Sequence, residues 1–310
     1  MPDIEDKLVI AIASSAVCPL DEETKKIFRE QGEAAYRKYQ REHEDEPLPR
    51  GPAFSFVKRL LRLNELLGDN YIDVVLLSRN DCDTGLRIIK TLRTRGITQE
   101  YRAMFLDGKD PCDFLETCDS SLFLTEKQHD VERAASLGFA AGQVLAEGCC
   151  NDEEGDDLRI AFDFDGVLAD STSERKFQQS GLNGFIQYEQ DHRKEPHHEG
   201  PMARLFKKLA RLRELENQKM TEDPNYHRHL NLSIVTARGI LSCERVVTTL
   251  RSWDILPDQG FFLSSARKDD VLKQIQPHIY FDDKLESNLL PIQHLTACVH
   301  VPQLAPSNAP

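Results

Sequence analysis

Residues 158–167 read LRIAFDFDGV, an apolar run that leads into two aspartates and a glycine. A short apolar run bounded by polar residues is typical of a buried strand. Gly166 allows the chain to turn sharply just after Asp163 and Asp165. The stretch therefore predicts a strand that delivers two carboxylates, one residue apart, to a tight loop.

Strands and helices alternate along the chain after this loop. The predicted strands cover residues 232–235, 261–263 and 278–281, and the predicted helices cover residues 173–188, a long segment opened by Pro201, 245–253 and 269–275. Such alternation predicts an α/β fold with a doubly wound parallel sheet, in which ligands bind at the carboxyl ends of the strands. The long insert between the first two strands is predicted to form a helical cap over that edge.

The same layout occurs twice in the chain. Residues 28–66 align without a gap with residues 177–215, so that Gly32 faces Gly181 and His43 faces His192. The run LVIAIASSAV, which begins at Leu8, likewise parallels the run 158–167. An internal duplication into two lobes of about 145 residues, near the common domain size, is the interpretation we favour.

The duplication sets the predicted boundaries. The lobes are residues 1–147 and residues 148–301, and they meet near the acidic stretch EGCCNDEEGDD at 147–157, which is typical of a linker. Residues 302–310, PQLAPSNAP, are rich in proline, and we expect a disordered tail there.

The composition restricts the classes of partner and compartment. The net charge of -13 argues against a nucleic-acid partner, which would require a basic face. No apolar run approaches the ~20 residues that span a bilayer, and the acidic start does not resemble a signal peptide. The eight cysteines show no paired spacing typical of a zinc site. We expect a cytoplasmic protein with reduced thiols and without a membrane partner.

Polar groups follow or adjoin four of the predicted elements. They are Asp163 and Asp165, the run Thr236-Ala237-Arg238, Lys268 just before a helix, and the pair Asp282-Asp283. A carboxylate can attack phosphorus, and a second carboxyl group can act as general acid and then as base. Carboxylate oxygens suit Mg²⁺, and hydroxyl, amide and ammonium groups can hold phosphate oxygens. The set predicts phosphoryl transfer assisted by a metal ion.

The order of these motifs resembles that of the haloacid dehalogenase-like (HAD-like) phosphatases. The motifs are D-x-D-G-V-L after a strand, T-A-R, a lone lysine before a helix, and F-D-D after the last strand. The resemblance implies two tandem HAD-like, Rossmannoid lobes and a phospho-aspartate mechanism. It implies the following roles: Asp163 as nucleophile, Asp165 as general acid and base, Thr236, Ala237 and Lys268 as phosphate-binding residues, and Asp163, the backbone carbonyl of Asp165, and Asp282 or Asp283 as Mg²⁺ ligands.

Further motifs narrow the resemblance to the cytosolic type I 5′-nucleotidases. They are the doubled layout, an H-x-x-E-P…G-P element before the long helix, and the runs VTAR, LRSW and PHIYFDD, and the resemblance extends from about Leu8 to Val301. It implies Mg²⁺-dependent hydrolysis of nucleoside 5′-monophosphates, AMP prominently, and a nucleotide effector in some animal members. Where some relatives carry D-G-D, this chain has D-F-D, and both aspartates are present in either form.

The first copy lacks the reactive groups. Ala13 and Ser15 align with Asp163 and Asp165, Ser78 with Thr236, Pro111 with Lys268, and Thr125 and Glu126 with Asp282 and Asp283. Methyl and hydroxyl groups cannot attack phosphorus or bind Mg²⁺ comparably. We expect residues 1–147 to be a non-catalytic lobe that shapes the pocket of the second lobe or binds an effector.

The residues alone leave several alternatives open. Arg238 can contact a substrate phosphate or pair with an acid. His43 and His192 recur in both copies, which favours a structural role. Phe185 and Tyr188 can stack on a base, but the tyrosines aligned with them in the first copy favour core positions.

Two other functions also remain open at this level. One is a phosphatase of another small phosphate ester, and the other is a non-enzymatic nucleotide-sensing scaffold. The sequence does not decide whether Asp282 or Asp283 binds the metal ion. It also leaves open whether the protein forms a homo-oligomer.

Overall fold

The computed structural model describes residues 7–68, 70–146, 155–264 and 266–303. In the first half the strands are β1 (Leu8–Ala13), β2 (Ile72–Ser78), β3 (Arg102–Phe105), β4 (Leu122–Thr125) and β5 (Ala141–Val144). The helices are α1 (Ser14–Val17), α2 (Glu22–Glu42), α3 (Phe54–Leu67), α4 (Cys82–Thr94) and α5 (Gln128–Ser136), with a 3₁₀ turn at Pro111–Phe114.

The second half repeats this order of elements. Its strands are β6 (Leu158–Phe162), β7 (Leu230–Thr236), β8 (Gln259–Phe262), β9 (Ile279–Asp282) and β10 (Cys298–His300). Its helices are α6 (Thr172–Asp191), α7 (Ala203–Glu222), α8 (Glu244–Ser252) and α9 (Lys268–Ile275), with 3₁₀ turns at Ile240–Ser242 and Leu290–Ile292 and a π-helical turn at Leu285–Leu289.

All ten strands belong to one sheet with the order β3-β2-β1-β4-β5-β10-β9-β6-β7-β8. Every neighbouring pair is parallel except β5 and β10, which are antiparallel. The expected α/β fold is therefore confirmed, although the predicted parallel sheets of the two halves are joined into one mostly parallel sheet. Read from either outer edge, each half has the same strand order, as the alternation of strands and crossover helices predicts.

The two halves meet at a short antiparallel seam. Val144 pairs with Val299, and Gln143 pairs with His300. Because the halves join through an antiparallel pair, the strands of one half run against those of the other. The carboxyl ends of the strands, where ligands bind in such sheets, consequently face opposite ways in the two halves.

One helix of each half packs across the seam. Helix α3 contacts β6 of the second half, α7 contacts β1 of the first half, and the two helices contact each other. Both helices bury leucines and phenylalanines spaced by three or four residues, such as Phe56 and Leu60 in α3 and Leu205 and Leu209 in α7. This spacing places the apolar side chains on one helical face, so the halves share a continuous core.

Matching contacts recur at matching positions. Helices α2 and α6 are each interrupted at a glycine with positive φ, Gly32 at 78° and Gly181 at 64°. His43 and His192 follow these helices, and their rings lie 3.8 and 4.1 Å from the rings of the tyrosines one turn earlier. Each histidine Nδ1 also contacts the backbone carbonyl of that tyrosine, at 2.9 and 2.7 Å. The two histidines therefore have the structural role expected from their recurrence.

The structure refines several expected elements. Helix α7 begins two residues after Pro201, and β8 begins two residues earlier than expected. The short strands β5 and β10, which form the seam, were not among the sequence predictions. Only the first helix of the predicted cap, α6, lies over the strand ends, because α7 buries its apolar face against the sheet and α3.

Other expectations fall partly outside the described residues. The centre of the predicted linker, with Cys149 and Cys150, and most of the predicted tail lie there. The other cysteines, at positions 18, 82, 112, 118, 243 and 298, are free thiols. Within the described ranges, no helix combines the length and apolar character needed to cross a bilayer.

Candidate active site

A cleft of about 510 Å³ lies at the carboxyl ends of β6 and β7. One wall carries Asp163, Asp165 and the run 236–238, and the opposite wall is formed by α6. Four apolar side chains of α6 line that wall: Phe177, Leu182, Phe185 and Ile186. The cleft thus has a polar floor and an apolar side, which is the usual composition of a site for an organic ligand with a charged group.

Asp163 follows β6 directly and is buried, with 5% of its surface exposed. Its Oδ2 lies 2.8 Å from Nζ of Lys268, the first residue of α9. Its Oδ1 accepts a hydrogen bond of 2.7 Å from the backbone N–H of Phe164. The structure therefore brings the first carboxylate and the lone lysine of the sequence motifs into direct contact.

Asp282 ends β9 and is fully surrounded by donors. Its Oδ2 lies 2.8 Å from Nζ of Lys268 and accepts a hydrogen bond from the hydroxyl of Tyr280. Asn288 donates through Nδ2 to both carboxylate oxygens, at 3.0 and 2.9 Å, and the backbone N–H of Lys284 donates to Oδ1 at 2.8 Å. Asp282 thus positions Lys268 and has its lone pairs occupied by protein donors.

Asp283 accepts fewer hydrogen bonds than Asp282. Its Oδ2 accepts a hydrogen bond of 2.6 Å from Nε2 of Gln303, while its Oδ1 is buried with no hydrogen-bond partner among the described residues. Oxygens of Asp163, Asp282 and Asp283 lie within 4.8 Å of one another. A buried carboxylate oxygen without a donor, next to two further carboxylates, fits a hard divalent cation.

Gly166 makes the approach of Asp283 possible. Its φ is 74°, and a Cβ at this position would lie 2.6 Å from Oδ2 of Asp283 and 2.3 Å from Nε2 of Gln303. A side chain would therefore displace the acidic pair from the loop that carries Asp163 and Asp165.

Asp165 lies beside Asp163 at the cleft wall and is held by Arg238. The guanidinium donates from Nε and Nη2 to the two oxygens of Asp165, both at 2.7 Å. Arg238 also pairs with Glu189 of α6, which in turn contacts Arg245 at 3.3 Å and His197 at 3.3 Å. Of the two roles left open for Arg238, the structure shows pairing with acids.

The other predicted phosphate-binding residues also face the cleft. Thr236 ends β7 and is buried, and its Oγ1 accepts a hydrogen bond of 3.3 Å from the backbone N–H of Arg238. Ala237 lines the cleft next to it. Lys284 reaches the cleft from the loop after β9 and donates to Glu174 at 3.1 Å.

Burial and charge shift the carboxyl pKa values in different directions. Burial raises the pKa of Asp163 to about 7, with Lys268 opposing the shift and Asp282 adding to it. Burial would also raise the pKa of Asp165, but the charge of Arg238 outweighs it and holds that pKa below its usual value. Burial acts to raise the pKa of Glu189, but His197 and Arg238 stabilise its charge and lower the pKa to about 2.

Sequence reasoning missed Glu189, Tyr280 and Asn288. A signal for Glu189 exists in the repeat, since Gln40 occupies the same position in the first half, where it accepts a hydrogen bond of 3.1 Å from Arg87. A neutral residue is thus replaced by an acid in the half that carries Arg238 and Asp165. Phe185 lines the cleft, whereas Tyr188 packs against Arg245, at 5.5 Å from the guanidinium.

At the matching place in the first half, the reactive groups are absent. Ala13 ends β1, and the hydroxyl of Ser14 donates to that of Ser78 at 3.0 Å. Pro111 begins a 3₁₀ turn where the second half has the start of α9. Thr125 and Glu126 stand where the acidic pair stands in the second half.

Comparison with known proteins shows the family. The family model described as 5′-nucleotidase matches residues 1–308. The chain belongs to the 5′-nucleotidase family. The recognition made from the motifs is therefore confirmed.

One curated relative of this chain is human cytosolic 5′-nucleotidase 1B, which is 31% identical over 296 residues. The match covers 92% of this chain and 47% of the relative, so the chain spans about half the length of that protein. A solved structure of histidinol dehydrogenase from Elizabethkingia anophelis covers 93% of this chain and 51% of its own, at 12% identity and a TM-score of 0.22.

Proposed function

We propose that this protein is a Mg²⁺-dependent phosphatase that hydrolyses nucleoside 5′-monophosphates, AMP among them, through a phospho-Asp163 intermediate. The observation that carries the proposal is the contact of Asp163 with Lys268 at the base of a cleft whose other wall is apolar. Family membership supports the nucleotide substrate.

The proposed reaction has two steps. A carboxylate oxygen of Asp163 attacks phosphorus and the bond from phosphorus to the 5′ oxygen breaks. Asp165, which must first take up a proton against the charge of Arg238, supplies the proton that the leaving oxygen needs. Asp165 then takes a proton from water as the water attacks the phospho-aspartate, which releases inorganic phosphate and restores Asp163. Lys268, Thr236 and the backbone at Ala237 hold the phosphoryl oxygens.

Asp163, the backbone carbonyl of Asp165, and Asp283 are the proposed metal ligands. Asp283 is preferred over Asp282 because its Oδ1 has no donor, whereas Asp282 is saturated by Lys268, Tyr280, Asn288 and a backbone N–H. Mg²⁺ would offset the negative charge of the phosphoryl group when bound there.

The apolar wall supports a nucleoside over a sugar as the leaving group. Phe177 and Leu182 expose 44% and 60% of their surfaces toward solvent or the cleft, and Ile240 and Leu241 at its rim expose 78% and 59%. An aromatic base gains free energy by covering such side chains, whereas a sugar would leave its hydroxyls without polar partners there.

The halves themselves are proposed to be diverged HAD-like lobes, residues 1–147 and 148–301, of which only the second is catalytic. Matching strand order and matching contacts in the two halves support this proposal. A cytoplasmic location is proposed by analogy with the relative whose name describes it as cytosolic.

Phosphate release from AMP tests the function. We expect release with Mg²⁺, none with EDTA, and a loss of at least about a thousandfold in kcat for Asp163→Asn, since the nucleophile is removed. Asp270→Asn, at an exposed position of α9, is the matched control and should retain full activity. Equal or better turnover of sugar phosphates, or substantial activity of Asp163→Asn, would contradict the proposal.

A further inference from the structure

A second cleft, of about 840 Å³, lies in the first half of the chain. It occupies the place that corresponds to the active-site cleft: at the carboxyl ends of β2, β3 and β4, beneath helix α2, which corresponds to α6. The first half has therefore lost the reactive carboxylates but kept the cavity, which is the larger of the two. A cavity retained without its chemistry requires an explanation other than catalysis.

The aromatic wall is retained at matching positions. Phe28 and Tyr36 line the first cleft where Phe177 and Phe185 line the second. Each pair is edge-on, with ring centroids 5.4 and 6.2 Å apart. Phe28 exposes 53% of its surface, so its ring is available to a ligand. The part of the cleft that would contact a base is thus common to both halves.

Unlike the aromatic wall, the charged side chains differ between the two clefts. Lys25 stands where the active-site cleft has Glu174, and Arg79 stands where it has Ala237. The walls of the first cleft carry five basic side chains, Lys25, Arg29, Arg37, Arg79 and Lys127, against three acidic ones, Glu33, Asp81 and Asp107. This excess of positive charge stands out in a chain whose net charge is -13, and such a locally positive cleft concentrates anions.

Two of these cations, Arg29 and Lys127, make no ion pair with a described residue. The pKa of Glu22 is lowered chiefly by Lys25 and to a smaller extent by the charge of Arg29, but Arg29 donates its hydrogen bond of 3.3 Å from Nε to the backbone carbonyl of Lys25. Arg79 is instead held in place by two hydrogen bonds, of 2.8 and 2.9 Å, to buried Asp130. The cleft therefore combines one fixed guanidinium with two cations that no acid of the described ranges pairs directly.

We propose that the first-half cleft binds a nucleoside phosphate without a metal ion and without hydrolysing it. The aromatic wall contacts the base, and the side chains of Arg29, Arg79 and Lys127 offset the charge that the metal ion offsets in the other half. The choice of a nucleoside rests on the proposed function of the second half, because the two clefts share their aromatic wall. The preference for a phosphate rests on the charges of the first cleft alone.

Calorimetry on the full-length Asp163→Asn variant in EDTA tests this, with AMP, inorganic phosphate and adenosine as separate titrants. We expect AMP to bind under these metal-free conditions. The double substitution Arg29→Gln with Lys127→Gln should weaken binding of AMP by about tenfold, since two charge-assisted contacts are lost. Phe28→Ala should weaken AMP but leave inorganic phosphate unchanged.

Matched controls distinguish the two clefts. Lys284→Gln alters the lysine that corresponds to Lys127, two residues after the matching strand, and Lys26→Gln alters an exposed lysine outside the cleft. Neither should change metal-free binding. No binding of AMP in EDTA, or binding that only Lys284→Gln weakens, would overturn the proposal. If the first-half cleft does not bind AMP, the proposed hydrolysis in the second half is unaffected. If the second half is inactive, binding of AMP to the first-half cleft can still be measured.

Discussion

Arg238 donates two hydrogen bonds of 2.7 Å to Asp165, one to each carboxylate oxygen. The arginine is 3% exposed, and its ring neighbours, Phe164 and Phe185, lie 5.5 and 5.2 Å from its guanidinium. Its remaining nitrogen pairs with Glu189 of α6. A single side chain thus connects the proposed general acid to the helix that covers the cleft.

Arg238→Lys tests this connection. An ammonium group cannot make the two parallel hydrogen bonds of a guanidinium, so Asp165 loses its fixed orientation. We expect kcat to fall by about 10- to 100-fold with KM changed much less, because positioning of a catalytic group acts mainly on the transition state. Steady-state kinetics with AMP measure both constants. Arg251→Lys, at an exposed site on α8, is the control, and an unchanged kcat in Arg238→Lys would refute the positioning role.

Glu189 should contribute to stability in a pH-dependent way. Arg238, Arg245, His197 and Asp165 are the ionisable groups around it, and its pKa is about 2 against an ordinary value of 4.5. A depressed folded-state pKa stabilises the protein above pH 4.5, and the contribution disappears as the pH falls toward 2. Urea unfolding of the wild type and Glu189→Gln should therefore differ most at neutral pH and converge as the pH approaches 2.

Truncation at the same position should be more severe. Glu189→Ala removes an acid that two buried arginines share. Arg238 keeps its pair with Asp165, whereas Arg245 has no other ion pair among the described residues, and the expected loss is about 3–5 kcal/mol in the free energy of unfolding. Gln40→Ala removes the corresponding side chain in the first half, where Arg87 and Tyr36 lose a neutral partner, and should cost less. Equal losses in the two variants would show that the charge of Glu189 is unimportant.

Substitution of the two adjacent aspartates at the end of β9, Asp282 and Asp283, should affect the Mg²⁺ requirement differently. Asp283→Asn replaces the carboxylate that has a free oxygen, so the Mg²⁺ concentration for half-maximal activity should rise by at least about tenfold. Asp282→Asn disturbs the position of Lys268 and should lower kcat with a smaller change in the Mg²⁺ requirement. Activity titrations with Mg²⁺ after EDTA treatment measure both. The reverse pattern would assign direct binding to Asp282.

Gly51 and Gly200 form a matched pair for separating stability from activity. A Cβ at Gly51 would lie 2.4 Å from the carbonyl oxygen of Ala16, and one at Gly200 would lie 2.5 and 2.7 Å from those of Ala169 and Val167. Replacement by alanine should destabilise the protein by about 1–3 kcal/mol in either case, because the backbone must move. Only Gly200→Ala should also reduce phosphate release, since the displaced segment follows the Asp163–Gly166 loop. Melting temperatures and kcat together test this.

The sequence predicted those features that depend on local pattern. The run before Asp163 is a strand with the expected bounds, and the contact of Lys268 with Asp163 agrees with their joint placement at the strand ends. The seam strands escaped prediction because β5 (AGQV) and β10 (CVH) each contain one β-branched residue and no Phe, Tyr or Trp, whereas the equally short β8 and β9 are rich in such residues.

Other features depend on three-dimensional neighbours. The sequence treats Asp282 and Asp283 alike, and only the donors around each distinguish them. The link from Arg238 to Glu189 joins residues 49 positions apart, and local spacing cannot reveal it. Comparing the repeats would have marked Glu189, as the change from Gln40 coincides with the gain of Asp165.

The short seam between β5 and β10 also determines how the halves can influence each other. Gln143 donates from Nε2 to the carbonyl of Glu126 at 3.1 Å, and Nε2 of its partner across the seam, His300, lies 3.2 Å from the carbonyl of Asp283. Three strand spacings separate β4 from β9, or about 14 Å. Because the clefts open in opposite directions, no single small molecule can bridge them. The contacts that join the two halves at this level therefore run through the sheet itself, from the loop after β4 to the acidic pair at the end of β9.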